Sequence, residues 1–257
     1  MEEKTVSVRG GMFNIEVLEG GSGPTLLYLH GEQGILETGF LEELAKSYHV
    51  VAPKHPGYGD STGDDYLADL HDMLYYYLDF MDALDIREAI LAGHGLGAMF
   101  AAELAAIQPE RFTWTVLIAP FGLWNAEYPV LDFFIEGPDG LRKASFHDPE
   151  SEAAQSMALP TSEGDVKGLL ERVKSQRVAA KYLWPIPNRG LSKRLHRVRT
   201  PALIVWGESD GIASPRYADD FAAGMPNAKV EKVPQAGHLP QLEQQQAVLD
   251  RVTGFIS

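Results

Sequence analysis

Hydrophobic residues recur along the chain in two alternating patterns. Short apolar runs predict buried strands, and longer stretches with apolar residues three and four positions apart predict helices. Strands are predicted at 25–30, 50–53, 89–93, 112–119, 202–205 and 229–233, and helices at 40–47, 64–84, 96–107, 166–183, 216–223 and 241–255. Strands that alternate with helices of this length form a mostly parallel sheet covered on both faces, so the pattern predicts an α/β fold.

The alternation is modified in three places. Polar and apolar residues alternate at 5–9 and 12–19 on either side of Gly10 and Gly11, which predicts a hairpin at a sheet edge. After Pro120 the rhythm stops until residue 202, and we interpret this interval as an inserted, mainly helical lid. The expected domains are a core of residues 1–122 and 193–257 and a lid of residues 123–192. The basic segment 191–199 predicts an amphipathic helix with a solvated face, or alternatively a docking surface.

Length, charge and composition narrow the class of protein. The 257 residues are enough for one such domain with an insertion, and the contents of 45% hydrophobic and 23% charged residues are ordinary for a globular enzyme. The net charge of −14 argues against nucleic acid or an anionic membrane as a partner. No signal peptide or long apolar run is visible, and there are no cysteines, so we expect a cytoplasmic protein acting on a small molecule.

The segment Gly93-His-Gly-Leu-Gly97 stands between a predicted strand and a predicted helix. In a G-x-S-x-G nucleophile elbow, a serine occupies a strained strand-to-helix turn and projects above the sheet. Here Gly95 stands at the position of the serine. The two outer glycines of the motif are in place.

Three further motifs accompany the elbow. They are His30-Gly31-Glu32 after an early strand, His55-Pro-Gly-Tyr-Gly-Asp-Ser61, and the late pair Trp206-Gly-Glu-Ser-Asp210 and Gly237-His238-Leu-Pro. With these motifs in this order, the chain resembles the α/β-hydrolase superfamily along almost its whole length. The segments Lys181-Tyr-Leu-Trp-Pro-Ile-Pro187 and Gly237-His-Leu-Pro-Gln-Leu-Glu243 are similar to those of bacterial hydrolases of esters, lactones and meta-cleavage products.

The resemblance implies an α/β-hydrolase fold with a helical lid and a set of site residues. Position 95 would carry the nucleophile, with His238 as its base and Asp210 orienting the imidazole, although Glu208 is a rival acid. The amides of Glu32 and Leu96 would form the oxyanion hole. The implied reaction is hydrolysis of a small, largely apolar ester, lactone or carbon–carbon bond.

Other side chains have two possible roles each. His94 would contact substrate or make a structural hydrogen bond, and Trp124 and Trp184 would line the pocket or pack inside the lid. The Glu32 side chain would face the pocket, where it disfavours anions or acts as an acid, or would point to solvent. No metal or cofactor is expected, because the histidines lack ligand spacing and no nucleotide-binding loop occurs.

Glycine at position 95 leaves several functional alternatives open. In the first alternative, the serine of a working serine hydrolase has been replaced by glycine to inactivate the enzyme. In the second, the natural protein lacks serine and uses the His238 and Asp210 dyad on water or on an acidic substrate proton. The second alternative includes a lyase, an isomerase or a cofactor-free oxygenase. A ligand-binding receptor that has lost turnover is a further possibility, since the fold does not fix the function.

Overall fold

The computed structural model describes residues 1–156, 166–186 and 188–257, and it is built on an eight-stranded sheet. The strands are β1 (Glu2–Val8), β2 (Phe13–Gly20), β3 (Thr25–Leu29), β4 (His49–Pro53), β5 (Ala89–His94), β6 (Phe112–Ile118), β7 (Ala202–Gly207) and β8 (Ala228–Val233). Their order across the sheet is β1-β2-β4-β3-β5-β6-β7-β8. β1 and β2 form the predicted antiparallel hairpin, β2 pairs antiparallel with β4, and all other pairs are parallel.

Nine α-helices lie within the described residues. They are α1 (Thr38–Leu44), α2 (Leu70–Ala83), α3 (Gly95–Ile107), α4 (Pro138–Ser145), α5 (Glu152–Ser156), α6 (Val166–Leu183), α7 (Tyr217–Gly224), α8 (Pro240–Glu243) and α9 (Gln245–Phe255). Of these, α4 to α6 lie between β6 and β7, in what we call the β6–β7 segment, residues 119–201. No helix of the described residues combines the length and apolarity that crossing a membrane requires.

Two hydrophobic cores cover the two faces of the sheet. Successive residues of β3 alternate between them, with Leu27 and Leu29 on one side and Leu26 and Tyr28 on the other. The first core is completed by α2, α3 and α7, and the second by α1 and α9. This arrangement confirms the prediction of an α/β-hydrolase fold.

The helix α3 approaches the sheet so closely that two positions admit only glycine. A β-carbon on Gly97 would overlap the carbonyl oxygens of Leu29 and His30, and one on Gly93 would lie 2.7 Å from the Gly97 carbonyl. The glycines of the elbow motif therefore set the distance between α3 and β3, and so the position of the turn between β5 and α3.

The segment 191–199 is not the amphipathic helix that its pattern predicted. It forms two short 3₁₀ turns, Leu191–Lys193 and Leu195–Arg197. Arg194 turns inward and makes two hydrogen bonds of 2.5 and 2.6 Å with the buried carboxylate of Glu103 in α3. Arg197 donates to the Ala106 carbonyl in the last turn of α3, where a cation is favourable. These contacts anchor the end of the β6–β7 segment to α3.

Two predicted helices are also interrupted. The helix expected at 64–84 begins only at Leu70, because Asp69 caps it by accepting a hydrogen bond from the Asp72 amide at 3.1 Å, and a 3₁₀ turn, Asp64–Tyr66, precedes it. The helix expected at 241–255 is divided into α8 and α9.

The helix α4 was not predicted, although Pro138 in its first turn is a typical helix start. The lid boundaries at 123 and 192 stay a prediction, and residues 157–165 and 187 lie outside the described residues.

Replacing Gly97 with alanine tests the close approach of α3. We expect Gly97→Ala to lower the free energy of unfolding by about 1 to 3 kcal/mol, because the added methyl group overlaps two rigid backbone carbonyls. Chemical denaturation measures this change. Gly254→Ala in α9 is the matched control, since its methyl group meets nothing within 4 Å and alanine favours a helix by up to about 1 kcal/mol. Equal stabilities for the two variants would contradict the packing account.

Candidate active site

The predicted site residues meet at the carboxyl end of the parallel strands, which is where open α/β sheets form their ligand sites. Glu32 follows β3, Gly95 follows β5, Asp210 follows β7 and His238 follows β8. Glu32, Asp210 and His238 lie in loops and Gly95 is the first residue of α3, and the sheet order brings these positions to one edge. The sequence motifs are thus brought together at one edge of the sheet.

Gly95 forms the sharp turn between β5 and α3. Its φ angle of +50° lies in the left-handed region, which glycine adopts without a steric penalty. A β-carbon at this residue would lie 2.6 Å from Glu32 Oε2, 3.4 Å from the ring of Phe121 and 3.6 Å from His238 Nε2. Three side chains therefore converge on the point above Gly95.

His238 is fully buried and held by three hydrogen bonds. Its Nδ1 donates to Asp210 Oδ2 at 2.8 Å, its amide donates to the Ser145 carbonyl at 2.7 Å, and its own carbonyl accepts from His94 Nε2 at 2.9 Å. Because the Asp210 partner fixes the proton on Nδ1, Nε2 is left as an acceptor. No described residue supplies a hydrogen bond to this Nε2.

The Asp210 carboxylate is fixed by four donors. One oxygen accepts from the amides of Ile212 and Ala213 at 2.8 and 3.0 Å, and the other accepts from Trp206 Nε1 at 2.9 Å as well as from His238. These four hydrogen bonds leave the carboxylate one orientation. The rival acid Glu208 is exposed, and its side chain takes no part in this network.

The pKa of His238 is set by opposing effects. Burial lowers it, but the charge of Asp210, the hydrogen bond to Asp210 and the charge of Glu32 outweigh burial, so the pKa lies above its ordinary value. A raised pKa makes the imidazole a better proton acceptor, and it also means that acid inactivates the base at a higher pH.

The side chain of Glu32 faces the site, and the alternative that it points to solvent is wrong. Glu32 is only 8% exposed, and no described residue donates a hydrogen bond to its Oε2. The loop beneath is held because Tyr58 donates its hydroxyl to the Glu32 carbonyl at 3.0 Å. The carboxylate consequently occupies the space next to Gly95 that a serine side chain would need.

A buried pair of histidines supports the Glu32 loop from below. His30 donates from Nδ1 to the Gly31 carbonyl at 2.7 Å and accepts at Nε2 from the amide of His55 at 2.9 Å. His55 donates from Nε2 to the His30 carbonyl at 2.9 Å and accepts at Nδ1 from the Tyr77 hydroxyl. Burial lowers the pKa of His30 to about 3 and that of His55 well below its ordinary value, so both rings are neutral.

His94, predicted to contact substrate or to make a structural bond, makes the structural bond. It is 2% exposed and packs against Gly31, and Nε2 donates to the His238 carbonyl. Burial and the neighbouring His238 lower the pKa of His94 to about 4, which keeps it neutral. His94 therefore positions the backbone of His238 from beneath.

The two predicted oxyanion amides flank this centre. Leu96 is the second residue of α3, and amides in the first turn of a helix have no acceptor within that helix. The amide of Glu32 lies in the turn after β3, at the same edge of the sheet. Their role as oxyanion donors stays a prediction.

Trp124 and Trp184 are exposed by 41% and 49% and lie outside this centre. They line a groove of about 280 Å³ together with Val130, Asp132, Pro185 and Ile186. Val130 and Ile186 also line a narrow inner cavity, next to Phe121 and Met99. Phe121 also lies 3.4 Å from the point where a β-carbon of Gly95 would stand, so the apolar lining of the inner cavity extends to the neighbourhood of Gly95.

Sequence analysis missed three contributors. Phe121 packs on the His238 ring at a centroid distance of 5.1 Å, and its place after the end of β6 was a usable signal. The Glu243 carboxylate accepts from the Gly237 amide at 2.6 Å and from the His147 amide at 2.9 Å, which ties the His238 loop to the β6–β7 segment. The Ser145 carbonyl gave no signal, because its helix was not predicted.

The strand order, the glycine turn after β5 and the His238 and Asp210 pair define a scaffold of the α/β-fold hydrolase class. A model of the alpha/beta hydrolase family matches residues 26–251, and the chain belongs to this family.

Relatives and solved structures agree with this assignment. The chain is 28% identical over 254 residues to a dihydrolipoyllysine-residue acetyltransferase component of the acetoin cleaving system of Pseudomonas putida, and the match covers 93% of this chain but only 65% of that relative. It is 26% identical over 255 residues to a 2-hydroxy-6-oxo-6-phenylhexa-2,4-dienoate hydrolase of Burkholderia cepacia, covering 90% and 87% of the two chains. A structure of an enzyme with the same name from Rhodococcus sp. strain RHA1 superposes with a TM-score of 0.80 at 21% identity, covering 99% of both chains.

The buried neutral histidines predict a loss of stability in acid. The pKa of His30 is about 3 and that of His94 about 4, against about 6.5 in an unfolded chain, so only the unfolded state takes up their protons. From pH ~6.5 down to pH ~4, each should lower the free energy of unfolding by up to about 1.4 kcal/mol per pH unit. The raised pKa of His238 has the opposite effect on the free energy of unfolding, because the folded state binds this proton more tightly than the unfolded chain does.

Denaturation curves across this pH range measure the slope. His30→Gln should make the slope shallower, and His71→Gln is the control because the His71 side chain is 77% exposed. A slope that is the same in His30→Gln and in the original chain would refute the assignment of a neutral His30.

Proposed function

We propose that this protein hydrolyses a small, uncharged and largely apolar carbonyl compound by direct attack of water, without an acyl-enzyme. The observation that carries the proposal concerns buried His238. Its Nδ1 is hydrogen-bonded to Asp210, and its unpartnered Nε2 lies close to Gly95, which has no side chain. In this scheme the base acts on water, since position 95 offers no hydroxyl.

The chemistry needs two proton transfers. As the water oxygen bonds to the carbonyl carbon, one water proton passes to His238 Nε2, and the Asp210 carboxylate stabilises the imidazolium. The bond to the leaving oxygen then breaks, and His238 returns the proton to that oxygen. The amides of Glu32 and Leu96 would stabilise the oxyanion formed between the two steps.

The surroundings support an uncharged, apolar substrate. Phe121 stacks on Phe133 beside His238, and the groove beyond is lined by Trp124 and Trp184. The Glu32 carboxylate places negative charge within the site, which disfavours an anionic group near the reacting carbon. We therefore expect neutral esters or lactones rather than dienoates, although the relative from Burkholderia cepacia is named as a dienoate hydrolase.

His238→Ala tests whether the protein is an enzyme or a receptor. We expect it to lower kcat on any accepted neutral ester or lactone by about 10²- to 10⁴-fold, because the general base is lost. Product formation and ligand affinity should be measured on the same compounds. A chain that binds these compounds, turns none over and keeps its affinity in His238→Ala would be a receptor, and the hydrolase proposal would fail.

Serine at position 95 tests whether the turn is a nucleophile elbow. Gly95→Ser alone should be destabilised, because its β-carbon would lie 2.6 Å from Glu32 Oε2, whereas Gly95→Ser combined with Glu32→Ala removes the overlap. We expect the double variant, and not the original chain, to react covalently with a fluorophosphonate at the introduced serine and to release product in a burst.

The control is Glu32→Ala alone, which should not be labelled. A folded double variant that the fluorophosphonate leaves unlabelled would mean that the turn does not present its side chain to His238. The elbow interpretation would then be wrong.

A further inference from the structure

We infer that Glu32 is a catalytic residue, whose carboxylate holds the attacking water together with His238. The inference rests on the proposed function and assigns to this site a second acceptor, on a different loop from the base. Its basis is the geometry above Gly95.

Two buried acceptors converge on one small space. Glu32 Oε2 and His238 Nε2 lie 2.6 and 3.6 Å from the point where a β-carbon of residue 95 would stand. Neither atom has a hydrogen-bond partner among the described residues, although Glu32 is 8% and His238 0% exposed. Leaving a buried polar group unpaired costs about 1 to 3 kcal/mol, so a ligand that pairs with both acceptors would stabilise this arrangement.

The hydrogen-bond donors and acceptors of His238 and Glu32 identify the kind of ligand. In the neutral imidazole, which is the form that acts as the base, the Nδ1 proton is used on Asp210 and Nε2 can only accept, and an ionised carboxylate can likewise only accept. Two acceptors cannot bond to each other. A water molecule has two donor hydrogens, and with one on each acceptor its lone pairs remain free to attack a carbonyl carbon.

Gly95 is part of this arrangement. Any side chain at position 95 would overlap the Glu32 carboxylate, as the distance of 2.6 Å from a β-carbon indicates. A serine at position 95 would therefore displace the carboxylate from its place beside His238. In the attack step, His238 Nε2 takes one water proton while the other stays hydrogen-bonded to Glu32, so Glu32 orients the nucleophile without changing its own protonation.

Hydrolysis of p-nitrophenyl butanoate by Glu32→Gln tests the role of the carboxylate. We expect kcat to fall by about 10- to 100-fold with KM nearly unchanged, because the water is misoriented while the substrate pocket is intact. Glu208→Gln is the matched control, since it removes the same charge from an exposed residue two positions from Asp210. An unchanged kcat in Glu32→Gln would overturn the inference and leave the proposed function standing, whereas no hydrolysis by the original chain would refute the proposed function itself.

The titration of His238, followed by NMR, is a readout that does not need turnover. The groups facing this ring are Asp210, Glu32 and the neutral His94. Removal of the Glu32 charge should shift the His238 titration, and with it the acid limb of the activity profile, to lower pH, because the imidazolium loses a stabilising anion. Glu208→Gln should leave the titration in place. A titration of His238 that is the same in Glu32→Gln and the original chain would overturn the assignment.

Single-turnover hydrolysis in water enriched in heavy oxygen separates water holding from covalent attack by Glu32. Direct attack puts the heavy oxygen into the acid product in the first turnover. Attack by the carboxylate would instead expel the alcohol and form a mixed anhydride between Glu32 and the acyl group. That intermediate would appear in acid-quenched samples as an acyl adduct on the peptide that contains Glu32, or would leave heavy oxygen on that peptide when water opens it at the Glu32 carbon. Either finding would overturn the inference.

Discussion

A single steric constraint, the absence of a β-carbon at residue 95, determines what the site can contain. Because Glu32 Oε2 lies 2.6 Å from the place of that missing atom, a larger residue at position 95 would require the Glu32 carboxylate to move. The left-handed φ of +50° further favours glycine there. The position therefore fits its neighbours as glycine.

A buried carboxylate that faces a buried histidine must be held in place, or it would turn toward water. The Glu32 loop is fixed through its backbone by the Tyr58 hydroxyl, by the hydrogen bond of His30 to the Gly31 carbonyl and, two residues before Glu32, by the hydrogen bonds between His30 and His55. Both histidines are neutral, so they add rigidity to the loop without adding charge to the site. The cost is stability in acid, where these rings would have to take up protons.

The fold was predictable from the sequence because the alternation of strands and helices is strong and the motifs follow in order. His238 and Asp210 were predictable for the same reason, since each follows a strand at the edge where parallel strands end. The direction of the Glu32 side chain was not, because it depends on how the loop after β3 is folded by contacts with distant Tyr58. The 191–199 pattern was misleading, since apolar residues at this spacing are buried equally well by two 3₁₀ turns while Arg194 pairs with Glu103.

The helix α4 connects the β6–β7 segment to the loops that carry His238 and Asp210, although none of its side chains takes part in the proposed reaction. The carbonyls of its last turn have no donor within the helix and need donors from outside it. The Ser145 carbonyl accepts from the His238 amide at 2.7 Å, and the Ala144 carbonyl accepts from the Gly211 amide, next to Asp210, at 2.9 Å. One helix end thus holds both the base loop and the acid loop.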